Sequence, residues 1–311
     1  MTLWIAGFLL LCALAAAGFF VLHAACARWE PSADWEERYL EKNGTDTQLE
    51  AFRAGRDWLS RQETEEIEVQ SEDGFILHAL LVPHIAPRAT LLLFHGWRSS
   101  WELDFMAALP FLHGLGLQLL LVDQRAQGDS EGDWITLGVR ERTDVPVWAD
   151  YIAQRFGKEH PVFLCDSSMG AETVLLAADY GFSANIRGIV ADSAAVSPYA
   201  LSLRLWYDRP LFPAHLAAWL LYGFARVFIG FDLFSRSVPQ ALSACSCPVL
   251  FLHGSADSRI PVRQAQQCCE ACRSGAELVL IEGAEHCMAY DTDKAKVEEA
   301  LQSFFDRHIT A

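Results

Sequence analysis

The sequence predicts an α/β domain: a mostly parallel sheet of about eight strands, helices on both faces, and a helical cap inserted late in the chain. Three observations lead there. From residue 90, short apolar runs recur: TLLLF (90–94), LQLLLV (117–122), PVFLC (161–165), IRGIVA (186–191), PVLFL (248–252) and ELVLI (277–281). Near-continuous apolar runs of this length mark strands buried on both faces, as in a parallel sheet covered by helices. Segments with helical spacing lie between them, near 101–113, 140–156, 169–180, 262–273 and 292–308. Asp144 is placed to cap the second, with Pro146 tolerated in its first turn. Finally, residues 195–245 separate two strands by about fifty residues rich in Trp, Tyr, Phe and Leu. A plain crossover needs far fewer, so this interval reads as a cap near the carboxyl ends of the strands, where functional loops gather.

The segments before residue 90 fall into three parts. Leu3–Ala27 carries no charged side chain. As a helix it extends about 37 Å at ~1.5 Å per residue, enough for a bilayer core of ~30 Å. No Lys or Arg precedes it and it is long for a signal peptide, so residues 1–28 read as a retained transmembrane anchor. Ala24-Ala25-Cys26 faintly resembles a lipoprotein cleavage site, but His23 stands where a branched apolar residue is usual. Arg28, Arg38 and Lys42 follow the span, which favours a cytoplasmic domain by the positive-inside rule; acids share that flank, so the side stays open. Residues 29–62 are charged and helically spaced, a connector helix ahead of a domain spanning 63–311. Ile67–Val82 reads as a hairpin around Glu72-Asp73-Gly74, since Asp-Gly between apolar runs is a turn signal.

Composition narrows the function. The 311 residues are 52% apolar, enough for a large core, and 24 Lys and Arg against 40 acids give a net charge of −16. Such a surface repels phosphate backbones, so nucleic acid is not an expected partner. The nine cysteines follow no disulfide spacing. Cys268-Cys269-x-x-Cys272 lacks the second ligand pair of a zinc site and reads as thiols on a helix. Nothing in the sequence speaks to oligomeric state.

Three strand ends carry reactive residues in a telling order. Asp166-Ser167-Ser168-Met169-Gly170-Ala171 follows PVFLC and precedes a helix. A nucleophile elbow needs such a tight turn, with small residues flanking the serine. Ser168 fits that register with Gly170; Ser167 fits it worse, with Cys165 and Met169 at the flanking positions. Asp166 stands where glycine is usual, which predicts strain or a widened turn. Asp257 follows PVLFL, and His286 follows ELVLI. A serine hydroxyl is a poor nucleophile at neutral pH. His286 would take its proton and return it to the leaving group, while Asp257 orients the imidazole. Asp192 is the rival acid; His95 and His253 read as structural. His95-Gly96-Trp97 ends the TLLLF strand. There Gly96 lets the backbone turn, so that the Trp97 N–H, with that of Met169, forms an oxyanion hole. The loop Asp123–Ser130 reads as structural, with Arg125 and Asp129 bonding the backbone.

With these motifs in place, residues 65 to 308 resemble the α/β-hydrolase superfamily, and most closely its bacterial membrane-anchored serine hydrolases, similar to serine aminopeptidases and monoacylglycerol lipases. The matches are HGW (95–97), DQRAQGDSEG (123–132), SSMGA (167–171), HGSAD with Ile260-Pro261 (253–261) and GAEH (283–286). The resemblance implies an α/β-hydrolase fold and hydrolysis of a carboxyl ester or related acyl bond, with no metal and no cofactor. Asp166 replaces the family glycine, and Gln127 stands where a histidine is frequent. Three functions follow: an esterase or lipase-like acyl hydrolase, a peptidase or acyl-thioesterase in which an acid such as Asp208 binds a substrate amine, or a binding protein on a hydrolase scaffold. An aromatic cap beside an anchor suits an apolar or lipid-like acyl substrate.

Overall fold

The computed structural model describes residues 2–182, 185–207 and 213–309, so Asp208 lies outside the described residues. Eight strands form one sheet: β1 (Glu65–Gln70), β2 (Ile76–Val82), β3 (Ala89–Phe94), β4 (Leu117–Val122), β5 (Val162–Ser167), β6 (Ile186–Asp192), β7 (Val249–Gly254) and β8 (Ala276–Ile281). Their spatial order is β1-β2-β4-β3-β5-β6-β7-β8. The hairpin strand β2 joins β4 antiparallel, and every pairing from β4 to β8 is parallel. This is the mixed, mostly parallel sheet expected from the apolar runs. Strands β3, β4, β5 and β7 are buried at every position.

Helices cover both faces. Before the sheet come α1 (Thr2–Cys26), α2 (Trp35–Asn43) and α3 (Asp46–Leu59). Between strands lie α4 (Trp101–Phe105), α5 (Leu109–Gly114), α6 (Asp144–Phe156) and α7 (Met169–Ala177). The cap holds α8 (Pro198–Tyr207), α9 (Ala214–Phe224) and α10 (Val238–Leu242), and α11 (Val262–Ala271), α12 (Ala289–Thr292) and α13 (Lys294–His308) complete the chain. One core layer joins Val145, Trp148 and Ile152 of α6 to Val174 and Leu175 of α7. The opposite layer joins Leu109 and Leu112 of α5, Phe304 and Phe305 of α13, and Phe52 of α3.

Several expectations need correction. The single connector helix is two helices, because Thr45 starts a new one: its side chain accepts from the Gln48 N–H while Gln48 returns a bond to the Thr45 N–H, a capping box. These helices are also part of the domain wall. Leu40 and Phe52 are buried, and Gly55 lies so close to α4 that a Cβ would stand 2.1 Å from the Met106 carbonyl. The helix expected at 101–113 is broken into α4 and α5. Asp144 does not cap α6; its carboxylate takes the Arg125 guanidinium at 2.7 and 2.5 Å. Arg125 also reaches Asp73 at 2.8 Å, so it binds carboxylates rather than backbone.

Helix α1 is not a free tether. Val21, Leu22, Ala25 and Cys26 are buried in a cluster with Ala217, Leu221 and Ala225 of the cap. Gly18 permits this approach: a Cβ there would fall 2.1 Å from the Phe224 ring. Phe19 packs 5.1 Å from Phe224 and 4.7 Å from Phe228 between ring centres. Past α9 the chain continues as a π-helical turn, Ala225–Ile229.

Candidate active site

The sharp change from β5 to α7 falls on Ser168, at φ 51° and ψ −110°. A non-glycine residue persists there only where its surroundings over-determine it, at a cost of ~1–3 kcal/mol. Three contacts do so. The Ser168 N–H donates to the Asp192 carbonyl at 2.9 Å. The Ser168 carbonyl accepts from the Glu172 N–H at 3.0 Å. Gly170 lies against the end of β3, where a Cβ would meet the Phe94 carbonyl at 2.1 Å.

The turn brings the Ser168 hydroxyl within 2.9 Å of His286 Nε2. His286 Nδ1 lies 2.8 Å from Asp257 Oδ2. The other oxygen, Asp257 Oδ1, accepts from the N–H groups of Arg259 and Ile260 at 2.8 and 2.7 Å, which fixes the carboxylate. This network assigns the tautomer: Nδ1–H donates to the carboxylate, leaving Nε2 to accept from the hydroxyl. Burial alone would raise the Asp257 carboxyl; the bond and charge from His286 outweigh it and hold it below the usual carboxylate range. Burial likewise disfavours a charged His286, but Cys287 and the Asp257 carboxylate outweigh that and hold the imidazole above the usual histidine range.

The rivals are engaged elsewhere. Ser167 Oγ donates to Cys287 Sγ at 3.3 Å. Asp192 accepts from Ser193 Oγ at 2.8 Å. His95 is fully buried, with Nδ1 2.9 Å from the Gly96 carbonyl, and burial pushes it down to about 4. His253 Nε2 lies 2.8 Å from the Ile260 carbonyl.

Opposite the hydroxyl, the loop after β3 presents backbone donors. The Gly96 N–H donates to Asp104 Oδ2 and the Arg98 N–H to Gln127 Oε1, both at 2.7 Å. Among the described residues the Trp97 N–H between them has no acceptor. Nor does the Met169 N–H, which as the first of α7 lacks an intrahelical partner. The left-handed residue of this loop is Arg98, at φ 49°, and not Gly96, whose Cβ would meet only ordinary contacts from 3.4 Å outward. Asp104 and Gln127, which hold the loop, were not singled out as site residues by the sequence; the one signal was Gln127 at a position where histidine is frequent.

Comparison with known proteins identifies the fold. The prolyl oligopeptidase family matches over residues 216–311. Among curated relatives, the uncharacterized protein YqkD of Bacillus subtilis is 26% identical over 236 residues, 73% of either chain. YfhR of Salmonella typhimurium is 25% identical over 80% of this chain and 84% of its own. Among solved structures, the Pyrococcus furiosus esterase Pf2001 superposes with a TM-score of 0.67 at 22% identity, covering 81% of this chain and 95% of that one. Est1E of Butyrivibrio proteoclasticus, solved with ferulic acid, gives 0.59 at 20% identity over 79% of this chain and all of its own. The chain has the α/β-hydrolase fold.

Within this α/β-hydrolase fold, Asp166 departs from expectation in an unforeseen way. It is regular strand: β5 and β6 stay in register through Cys165–Val190, Asp166–Ala191 and Ser167–Asp192, so the turn is neither strained at Asp166 nor widened. The departure is electrostatic. Both carboxyl oxygens are buried, with no side-chain partner among the described residues, and burial outweighs the nearby Phe94 backbone and pushes the carboxyl well above its usual range. Burial thus disfavours a negative charge beside the hydroxyl.

A cavity of about 560 Å³ opens on Ser168 and His286. Tyr39, Leu40 and Phe52 of α2 and α3 wall it opposite Leu201 and Leu205 of α8. Among the described residues, the aromatic side chains of the cap lie elsewhere: Trp219 packs 6.1 Å from Tyr199 and 5.6 Å from Phe234, in a cluster outside the cavity. The apolar wall comes from the segment read as a connector together with the leucines of α8.

Proposed function

We propose that this chain is a serine hydrolase that cleaves a carboxyl ester or related acyl bond through an acyl-enzyme. The observation that carries the reading is the unbroken chain from Ser168 Oγ through His286 to Asp257, at 2.9 and 2.8 Å. Ser168 is the nucleophile. As its Oγ attacks the substrate carbonyl carbon, its proton passes to His286 Nε2, and Asp257 stabilises the imidazolium. The carbonyl oxygen becomes an oxyanion and is received by the Trp97 and Met169 N–H groups; one such donor contributes ~2.7–4 kcal/mol to the barrier reduction. The imidazolium then protonates the departing alkoxide, leaving the acyl group on Ser168. Water adds to that carbonyl as it gives one proton to His286; the imidazolium then returns that proton to Ser168 Oγ as the acyl C–Oγ bond breaks, releasing the acid and the free hydroxyl. The esterases among the structural neighbours support this chemistry. The apolar wall from α2, α3 and α8 suits an apolar acyl chain.

A membrane setting belongs to the same reading. Trp4–Cys26 is long and apolar enough to cross a bilayer. Phe228 of the cap stands exposed against Phe19 of this helix, and Leu216, Trp219 and Val227 are further exposed apolar residues of the cap. We take α1 as a retained anchor, and lipid-like esters as the favoured substrates.

The test is a fluorophosphonate probe and p-nitrophenyl esters applied to the full chain and to Ser168→Ala. Labelling and turnover should both vanish in the variant, with kcat falling by at least ~10³-fold. An unlabelled native chain that turns over nothing would reject catalysis in favour of a binding protein. A second reading, a peptidase, is favoured by the prolyl oligopeptidase match, which covers Asp257 and His286. Aminoacyl amides turned over faster than esters would select it.

A further inference from the structure

A helix ends with carbonyls short of partners in the next turn, and at the end of α1, where the His23 carbonyl already takes the Ala27 N–H, residues distant in sequence add donors. The Trp97 indole N–H donates to the Ala25 carbonyl at 2.9 Å. Arg98 Nη2 lies 3.3 Å from both the His23 and the Ala27 carbonyls. The guanidinium thereby also meets the negative end of the helix dipole. Both donors belong to the loop whose central N–H faces the reacting carbonyl in the proposed reaction. We propose that the last turn of α1 is a positioning element of the catalytic site, holding the 96–98 loop by the Trp97 indole and the Arg98 guanidinium so that the Trp97 N–H stays aimed at the oxyanion. The inference rests on the reading of that N–H as an oxyanion donor.

The loop needs such support. Its flanking N–H groups hang on two side chains, Asp104 and Gln127, and Arg98 sits in the left-handed region, which reverts unless held. A second route from α1 reinforces the first. Arg28, just past the helix, donates from Nη2 to the Gly128 carbonyl at 2.7 Å, and its own N–H donates to the Asp133 carbonyl at 2.8 Å. Ala27 also forms an antiparallel bridge with Trp134. These contacts fix the segment that carries Gln127, the acceptor for the Arg98 N–H. The end of α1 therefore grips the oxyanion loop directly and through its neighbour. Placement of this kind matters for rate, since a misplacement of ~1 Å can cost ~10²-fold.

The experiment compares the full chain in detergent micelles with Trp97→Phe, which keeps the ring and the backbone N–H but loses the indole donor, and with Arg98→Gln. Ester turnover is expressed per active site titrated by fluorophosphonate, so any misfolded fraction drops out. Affinity for a boronic acid, whose tetrahedral adduct on Ser168 places an oxygen in the oxyanion position, is measured alongside. Expected is a fall in kcat per titrated site of about tenfold in each variant, with KM within about twofold and boronate affinity reduced by the same factor as kcat. A variant that loses thermal stability or titratable sites but keeps kcat per site and boronate affinity overturns the positioning role. Turnover that survives Ser168→Ala overturns the underlying reaction, and the positioning role with it.

Discussion

At the scale of single residues, the site depends on charges being held in unusual states. In the proposed reaction His286 has to be neutral to accept the Ser168 proton, yet Cys287 and Asp257 favour its charged form against the opposing effect of burial. The base is therefore protonated over a wider pH range than a free histidine, whose value is ~6.5. For a raised pKa the active neutral form appears only as pH climbs through that pKa. The acid limb of kcat/KM should thus inflect above ~6.5, with activity falling about tenfold per pH unit below it. Cys287→Ser removes one raising influence and should move the limb to lower pH. A limb already at or below the free-histidine value, or one indifferent to that substitution, would contradict the electrostatic account. The residues that hold the site differ in how far sequence revealed them. Ser168, Asp257 and His286 stand at strand ends in a recognisable order, and that order alone suggested their meeting. Asp104 and Gln127 gave no comparable signal, because a side chain that accepts one backbone N–H needs no motif around it.

At the scale of elements, Arg125 ties three segments together: the β1–β2 turn through Asp73, its own loop, and the start of α6 through Asp144. Its side chain is 3% exposed and that of Asp144 6%, so each charge is out of water and relies on the other. Burial raises the Asp144 carboxyl to about 6 even with the arginine beside it, which measures how unfavourable the bare charge would be. Removing one partner of such a pair costs ~3–5 kcal/mol, whereas replacing both with apolar groups is often neutral. Arg125→Met should lower the urea midpoint sharply, and Arg125→Met with Asp144→Leu should recover most of the loss. Equal losses in the single and double variants would show that the pair is not the cause. Element legibility follows the same physics. The parallel strands were plain in the sequence because burial on both faces forces uninterrupted apolar runs. The break between α2 and α3 was missed because it rests on a local capping box at Thr45 and Gln48. The true partners of Arg125 were missed because Asp73 lies 52 residues away, and nothing in the local pattern distinguishes a carboxylate partner from a carbonyl.

At the scale of the whole molecule, the decisive feature is the seat of α1 on the cap. An apolar helix carries the same composition whether lipid or protein surrounds it, so the sequence revealed the span but not its docking. Burying a Val or Leu side chain contributes ~1.5–3 kcal/mol, and Val21 and Leu22 are both buried in this seat. Gly18→Leu would drive a side chain into the Phe224 ring and should lower the melting temperature of the full chain in micelles by several degrees. Deletion of residues 2–27 should do more, leaving Leu221 and Ala225 uncovered and the protein prone to aggregate. Unchanged melting in both would mean that the helix merely lies alongside. The seat also sets geometry on the anchor reading. Only Thr2–Ala17 lies ahead of the first buried residue, Gly18, about 24 Å of helix at ~1.5 Å per residue, while the hydrocarbon layer measures ~30 Å. The leash has no slack. If α1 does anchor the chain, the globular body would be drawn down among the lipid headgroups and could not tumble, so its cavity would keep one height and one heading. Under the proposed ester hydrolysis, encounters would then become a search in two dimensions, and the rate would follow how densely the leaflet is populated with ester, not how much is dissolved in the surrounding water.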